Sequence, residues 1–503
     1  MTAPLNVLLI TSDQQHWNTL GHLNPEVPTP NLDRLAAQGL RLDRAYCPNP
    51  TCTPTRASII TGLDPSQHGA YSLGTHLDPA RPTVGDDLQA AGYRTALVGK
   101  AHFQALRSTP EYPSIEAYPV LQDLEFWRRF HGPFYGFEHI ELARNHVDEA
   151  HIGQHYALWL ESKGCRDWRR YFRKPTGTAE GHRFHWPIPE ELHYDAWIAE
   201  RTCARLDGHA QRREPFFLWA SFFDPHPPCI APAPWDTLVD PASVTLPKRH
   251  PGEHEANPPH FRLTQQPAFD QAPYREPGGS GVHGFHSHLH AEDGLRRTIA
   301  VYYGMIALLD KYVGILLDRL DALGLADRTL VVFTSDHGHF LGQHGLVAKG
   351  PFHYEDMLRV PFLARLPGRI PAGTASDALL TLTDLAPTFL DFAGLPVPRR
   401  MTGRSQRAAW EGRVAAVRDR LIVDNRHQPT TVNARTLVTK RYKLTVYFDR
   451  DYGELFDLQD DPGEVRNRWS DPSAQDLKRD LLLQFLHAEM AREPLPMPRI
   501  SGA

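Results

Sequence analysis

The chain has 503 residues, 54 Lys and Arg against 59 Asp and Glu, and a formal charge of −5 at pH 7. That length buries a large core in more than one structural unit, and the mildly acidic balance supplies no basic field for a nucleic-acid partner. Five cysteines without framework spacing exclude a disulfide-stapled scaffold, whereas 28 histidines point towards metal or proton chemistry.

The opening MTAPLNVLLITSDQQ lacks a basic region and a cleavage site, and no apolar run reads as long enough for a bilayer. A soluble cytoplasmic protein with no membrane partner is therefore expected. NVLLITSD predicts a buried parallel strand whose C-terminal end delivers Asp13 and Gln14. TPNLDRLAAQG predicts a short amphipathic helix closed by Gly39. A turn-rich loop, CPNPTCTPTR, then runs into a helix at ASIITG, and TVGDDLQAAGYRTALVGKAHF predicts a helix, a glycine turn and a strand ending in Lys100 and His102.

From Phe103 to Arg296 prolines, aromatics and histidines dominate, broken by a helix in EELHYDAWIAERTCARLDGHA and a strand in EPFFLWASFFDPHPP. One or two of Trp127, Trp168, Trp186 and Trp197 are expected to line a pocket for an organic leaving group. The Gly-rich run with His283, His286, His288 and His290 reads first as a surface segment, with a lid or a contact in a homo-oligomer as alternatives. Apolar residues at helical spacing from Ile299 to Leu323 predict a long helix ended by Gly324, with Tyr302, Tyr303 and Met305 in the core. TLVVFTSD follows as a strand ending in Asp336 and His337. Alternating helices and all-apolar strands imply an α/β fold with a mostly parallel sheet covered on both faces, here residues 1–411. Shorter strands, LIVDN, TLVTKRYKLTVYF and GELFDL, and a last helix at LKRDLLLQFLHAEMA imply a smaller α+β unit over residues 412–503.

Polar clusters recur where open α/β sheets place their sites: Asp13-Gln14, Lys100-x-His102, Asp224-x-His226 and Asp336-His337. Asp13, Gln14, Asp336 and His337 offer three oxygen-type ligands and one imidazole, a set that suits Ca²⁺ or Mn²⁺ better than a thiolate zinc site. Cys52, at a helix start, first reads as a thiolate nucleophile of lowered pKa. Phosphatase-type cysteine loops, however, carry an arginine where this chain has Ser58, and Cys52 belongs to no Cys-x-x-Cys pair. Cys47 reads as packing.

The spacing Cys52-x-Pro54-x-Arg56 before ASIITG, with NVLLITSDQ, GKAHF, DPHPP, TSDHG and KGPFHYED in order, resembles the sulfatase family of the alkaline-phosphatase-like superfamily. The resemblance covers nearly the whole chain. It implies that a formylglycine-generating enzyme oxidises Cys52 to an aldehyde, whose hydrate attacks the sulfur of a small-molecule sulfate ester. By the same resemblance Asp13, Gln14, Asp336, His337 and the modified Cys52 hold one divalent cation. Arg56 holds the hydrate, Lys100 and Lys349 bind sulfate oxygens, His102 is the base that expels sulfate, and His226 or Lys349 protonates the leaving alcohol; Asp224 reads as structural. Many sulfatases carry Asp where Gln14 stands and Asn where His337 stands, so Mn²⁺ competes with the Ca²⁺ typical of the family. The same pairs resemble phosphonate and phosphate ester hydrolases of this superfamily, which tend to lack the Lys-x-His pair kept here.

Overall fold

The computed structural model describes residues 4–144, 151–173, 184–270, 272–274, 284–285, 291–426 and 432–502. His283, His286, His288 and His290 lie outside the described residues. Eight strands build the main sheet: β1 (Asn6–Ser12), β2 (Leu40–Leu42), β3 (Arg94–Gly99), β4 (His139–Leu142), β5 (Phe216–Ser221), β6 (Thr329–Ser335), β7 (Phe362–Arg365) and β8 (Thr374–Ser376). Their order is β8-β2-β7-β6-β1-β5-β3-β4. From β6 to β4 all neighbours are parallel, while β7 runs antiparallel to both β6 and β2. Strands β1, β5 and β6 are buried at every residue, which explains their uninterrupted apolar sequences.

The helices that concern the site are α1 (Pro30–Ala37), α2 (Cys52–Thr61), α3 (Val84–Ala90), α4 (Tyr194–Arg212) and α5 (Glu292–Ala322). Helix α1 has no side-chain cap of its own. Asp310 of α5 supplies one instead, accepting the N–H of Asn31 at 3.1 Å and of Leu32 at 2.7 Å. The α5 segment corrects the expectation that no stretch is apolar and long enough to cross a bilayer. It has 31 residues and passes that test, yet 89% of its most apolar window is buried within the fold. Its apolar surface packs on both α1 and α4, and Tyr302, Tyr303 and Met305 are buried as expected.

The four tryptophans are corrected as well. Trp127 lies in one hydrophobic cluster and Trp168, Trp186 and Trp197 in another, each fully excluded from solvent, so none lines a pocket. Aromatic density in the sequence reads alike for a core and for a binding site; burial of so much area favoured the core.

The C-terminal strands β9 (Arg420–Arg426), β10 (Asn433–Thr439), β11 (Tyr442–Tyr447) and β12 (Gly453–Asp457) form an antiparallel meander, so TLVTKRYKLTVYF is a hairpin of two strands. Helix α6 (Gln475–Ala491) covers it through Leu481, against Ile422, Leu437, Leu444 and Leu455. The meander reaches the first unit at several points: Asp424 N–H donates to Pro48 O at 2.9 Å, Asn425 Nδ2 meets His353 Nε2 at 2.8 Å, and the buried Lys443 ammonium pairs with Glu355 of the first unit and Glu464 of its own.

Candidate active site

Parallel pairing brings the ends of β1, β3, β5 and β6 to one edge, where Asp13, Lys100, Asp224 and Asp336 follow them. The turn after β1 is stitched to its neighbours. Asp13 N–H donates to Asp224 O at 3.2 Å, Gln14 N–H to Asp336 Oδ1 at 2.9 Å, and Gln15 N–H to Ser335 Oγ at 2.9 Å. Before Lys100, Gly99 has φ +112, and a Cβ there would lie 1.9 Å from Ser221 O, so only glycine lets β3 close on β5. Cys52 opens α2, after an extended Thr51 and before a left-handed Gly62, and all ten residues of that helix are buried.

The sulfur of Cys52 is the hub of the site. It lies 3.2 Å from His337 Nε2, 3.4 Å from Lys349 Nζ, 3.8 Å from Asp13 Oδ1 and 3.9 Å from Lys100 Nζ. Lys100 also pairs directly with Asp13 Oδ2. Arg56, one turn along α2, donates Nε to Asp336 Oδ2 at 2.8 Å and Nη1 to Ser221 Oγ at 2.7 Å and Lys100 O at 3.0 Å; Nη2 stands 3.8 Å from Asp13 Oδ2. Lys349 Nζ is also 3.5 Å from His226 Nε2.

Electrostatics follow from that packing. Burial works against ionising Asp13, but Lys100, Arg56 and Lys349 outweigh it and hold the carboxyl at about 2. Burial pushes the Cys52 thiol up, and Lys100 and Lys349 more than offset it, so its pKa falls below the ordinary value. His226 is driven well below the usual histidine range, by burial first and then by Lys349 and Lys100. Its Nδ1 faces the Pro227 carbonyl at 2.6 Å, so the neutral ring carries hydrogen there and turns a lone pair to Lys349.

One group of side chains fits a cation. Ligand atoms of Asp13, Cys52, Asp336 and His337 all lie within 4.8 Å of one another. His337 Nδ1 faces the Gly338 carbonyl at 3.0 Å, which leaves the Nε2 lone pair for a metal. Gln14 adds an orphan: its amide nitrogen meets His339 Nδ1 at 2.8 Å, while Oε1 is buried with no hydrogen-bond partner among the described residues. A second buried group, His193, Asp195 and Asp224, is equally tight. There His193 Nδ1 accepts the Asp195 N–H at 3.2 Å, so the hydrogen of the neutral ring sits on Nε2 and blocks ligation. Asp224 instead accepts the Tyr194 hydroxyl at 2.6 Å and holds its turn.

A family model described as Sulfatase matches residues 5–395. The chain belongs to the sulfatase family. A second family model, described as N-sulphoglucosamine sulphohydrolase, C-terminal, matches residues 342–491 of this sulfatase. An arylsulfatase of Clostridium perfringens is 28% identical over 486 residues, covering 92% of this chain and 89% of its own. A multifunctional alkaline phosphatase superfamily protein of Trinickia caryophylli is 29% identical over 512 residues, covering 94% and 93%. Among solved structures, a phosphonate monoester hydrolase from Silicibacter pomeroyi matches with a TM-score of 0.80 and 26% identity, over 98% of this chain and 96% of that one. The sulfatase is thus a hydrolase of sulfuric esters on an alkaline-phosphatase-like α/β fold, in a family that uses a divalent metal.

Three residues of this edge carry no motif. Arg144 follows β4 and is fully buried, with Nε and Nη2 lacking a hydrogen-bond partner among the described residues. Ser221 receives Arg56, and Tyr302, read only as core, also donates its hydroxyl to Gln14 O at 2.8 Å. Their positions come from strand register and helix packing, and the sequence signals neither.

Proposed function

We propose that this sulfatase cleaves sulfate monoesters at residue 52, after a formylglycine-generating enzyme has oxidised Cys52 to the aldehyde. The observation that carries the reading is the placement of Cys52 Sγ, within 3.9 Å of the carboxylate of Asp13, the imidazole of His337 and the ammonium groups of Lys100 and Lys349. The hydrated aldehyde supplies two hydroxyls on one carbon, one to take up the sulfuryl group and one to expel it. Asp13, Gln14, Asp336 and His337 would hold the cation, Ca²⁺ or Mn²⁺, with the imidazole and the neutral amide favouring Mn²⁺. When bound, it supplies positive charge that favours an ionised hydroxyl and neutralises ester oxygens.

The protein groups divide the remaining work. Lys100 and Lys349 flank residue 52 and bind the sulfate oxygens, in a fixed cationic frame that needs no rearrangement as charge develops. Lys349 delivers a proton to the leaving oxygen. His226, neutral by its depressed pKa, accepts from Lys349 and aims it rather than donating itself. His102 takes the proton whose loss expels sulfate. Arg56 acts mainly by fixing Asp336 and Asp13, leaving Nη2 for the nucleophile.

The test is to produce the protein with an active maturation enzyme, and to measure the mass of the peptide that contains Cys52 together with aryl sulfate turnover. An aldehyde mass in active protein is expected; full activity with the thiol intact would refute the reading. A second activity, on phosphonate monoesters, is supported by the Gln14 and His337 pair and by the phosphonate monoester hydrolase match over 98% of the chain. Turnover of an aryl phosphonate monoester by the same preparation checks it.

A further inference from the structure

Glu116 takes no part in the chemistry above, yet its buried carboxylate is wholly engaged by the segment that carries His102. Oε1 accepts the backbone N–H of His102 at 2.7 Å, and Oε2 accepts those of Phe103 at 2.9 Å and Gln104 at 2.8 Å. The grip is reciprocal, because the Ile115 N–H donates to Gln104 Oε1 at 2.8 Å. Arg144 closes the arrangement, donating Nη1 to Glu116 Oε1 at 3.2 Å and to Gln104 O at 3.1 Å.

Three successive N–H groups converging on one anion make a nest, a conformation that an extended strand or a helix does not produce. Here it is used in reverse, since the carboxylate serves as the template on which the backbone is folded. His102 needs one. Its φ is +57, in the left-handed region that few residues other than glycine adopt, Asn, Asp and His less rarely than the rest. Without the carboxylate, three buried donors would lose their acceptor and the turn would relax. Arg144 supplies the countercharge that lets Glu116 remain an anion in a buried position.

We propose that Glu116 is a positioning residue for the second half of the reaction: it locks the turn that presents His102, with Arg144 holding the carboxylate in place. This rests on the reading of His102 as the base that expels sulfate.

The test uses full-length, formylglycine-bearing, metal-loaded protein in four forms: wild type, E116Q, H102A and the double variant. Pre-steady-state release of phenol from an aryl sulfate is followed into steady turnover. Glutamine keeps the size of the side chain but turns an NH₂ towards backbone donors. E116Q is expected to show a burst of phenol near one per active site, then steady turnover lowered about tenfold or more with KM lowered in proportion, so that kcat/KM for the sulfate ester stays within about twofold of wild type. H102A should give the same burst, and adding E116Q to it should cost little more. A crystal structure of E116Q should show His102 out of the left-handed region. Wild-type turnover in E116Q, additive losses in the double variant, or an unmoved His102 turn would each overturn the proposal. Wild-type turnover in H102A alone would remove the reading beneath it, and the proposal with it. Should E116Q fail to accumulate, R144Q, which leaves the nest but removes its clamp, is expected to show the same burst with a smaller loss, and a trace from R144Q that is monophasic and matches wild type would overturn the proposal.

Discussion

Arg56 Nε donates to Asp336 Oδ2 at 2.8 Å, and neither side chain has any exposure to water. Taking one partner away strands the other charge in the interior, which costs about 3–5 kcal/mol in comparable buried pairs. Arg56→Met is therefore expected to lose most of its activity and about that much stability. Urea unfolding of wild type and variant, both in the unmodified thiol form, measures it. A loss below about 1 kcal/mol would mean that the pair is not the clamp its burial implies.

Gln14 brings an amide where a carboxylate would add one negative charge to the proposed metal set. Gln14→Asp should raise affinity for Ca²⁺ more than for Mn²⁺, because calcium sites are tuned by ligand charge count. Titration calorimetry of the metal-stripped protein with each ion gives the ratio directly. An unchanged ratio would show that Oε1, orphaned though it is, does not face the ion.

Lys349 and His226 make a prediction that depends on the leaving group. Protonation matters most when the departing oxygen is basic, and general acid catalysis contributes typically 10²–10⁴-fold. Lys349→Ala should lose about 10²-fold or more on phenyl sulfate and much less on a nitrophenyl sulfate. His226→Ala should follow the same trend more weakly. Equal losses on both substrates would make Lys349 a sulfate-binding group alone.

In the C-terminal meander, Glu454 on β12 is buried with Oε2 accepting the Tyr447 hydroxyl at 3.0 Å and Oε1 without a partner among the described residues. Burial raises its pKa to about 7, against the lowering effect of the Tyr447 bond. The folded pKa exceeds the unfolded one, so its contribution is fully present below pH 4.5 and disappears as pH rises through 7. Glu454→Gln stays neutral throughout. Relative to wild type it should gain about 3 kcal/mol of unfolding free energy between pH 4.5 and 8. Parallel pH profiles for the two proteins would refute the assignment.

The parallel strands were legible because burial on both faces leaves an uninterrupted apolar run, and the residue that ends such a run stands at the edge where sites form. Asp13, Lys100, Asp224 and Asp336 are found in this way without any partner information. Glu116 and Arg144 were not, for a different reason. Arg144 reaches the site only because β4, four residues long, pairs with β3 in the register Ala96↔His139, and a run so short carries no pattern of its own. Glu116 lies among prolines and aromatics, where no periodicity marks a residue that binds backbone rather than solvent. Similarly, nothing local tells a tryptophan in the core from one in a pocket.

Helix α2 has no exposed residue, and that sets an order of events for the chain. Another protein can grasp CTPTR only as an extended segment, before the rest of the fold encloses it. Native thiol-form protein should thus resist the maturation enzyme that accepts the denatured chain, a contrast that peptide masses would register. On the maturation proposed for Cys52, folding is then a deadline: a molecule that meets it with the sulfur still in place has sealed its own activation out of reach.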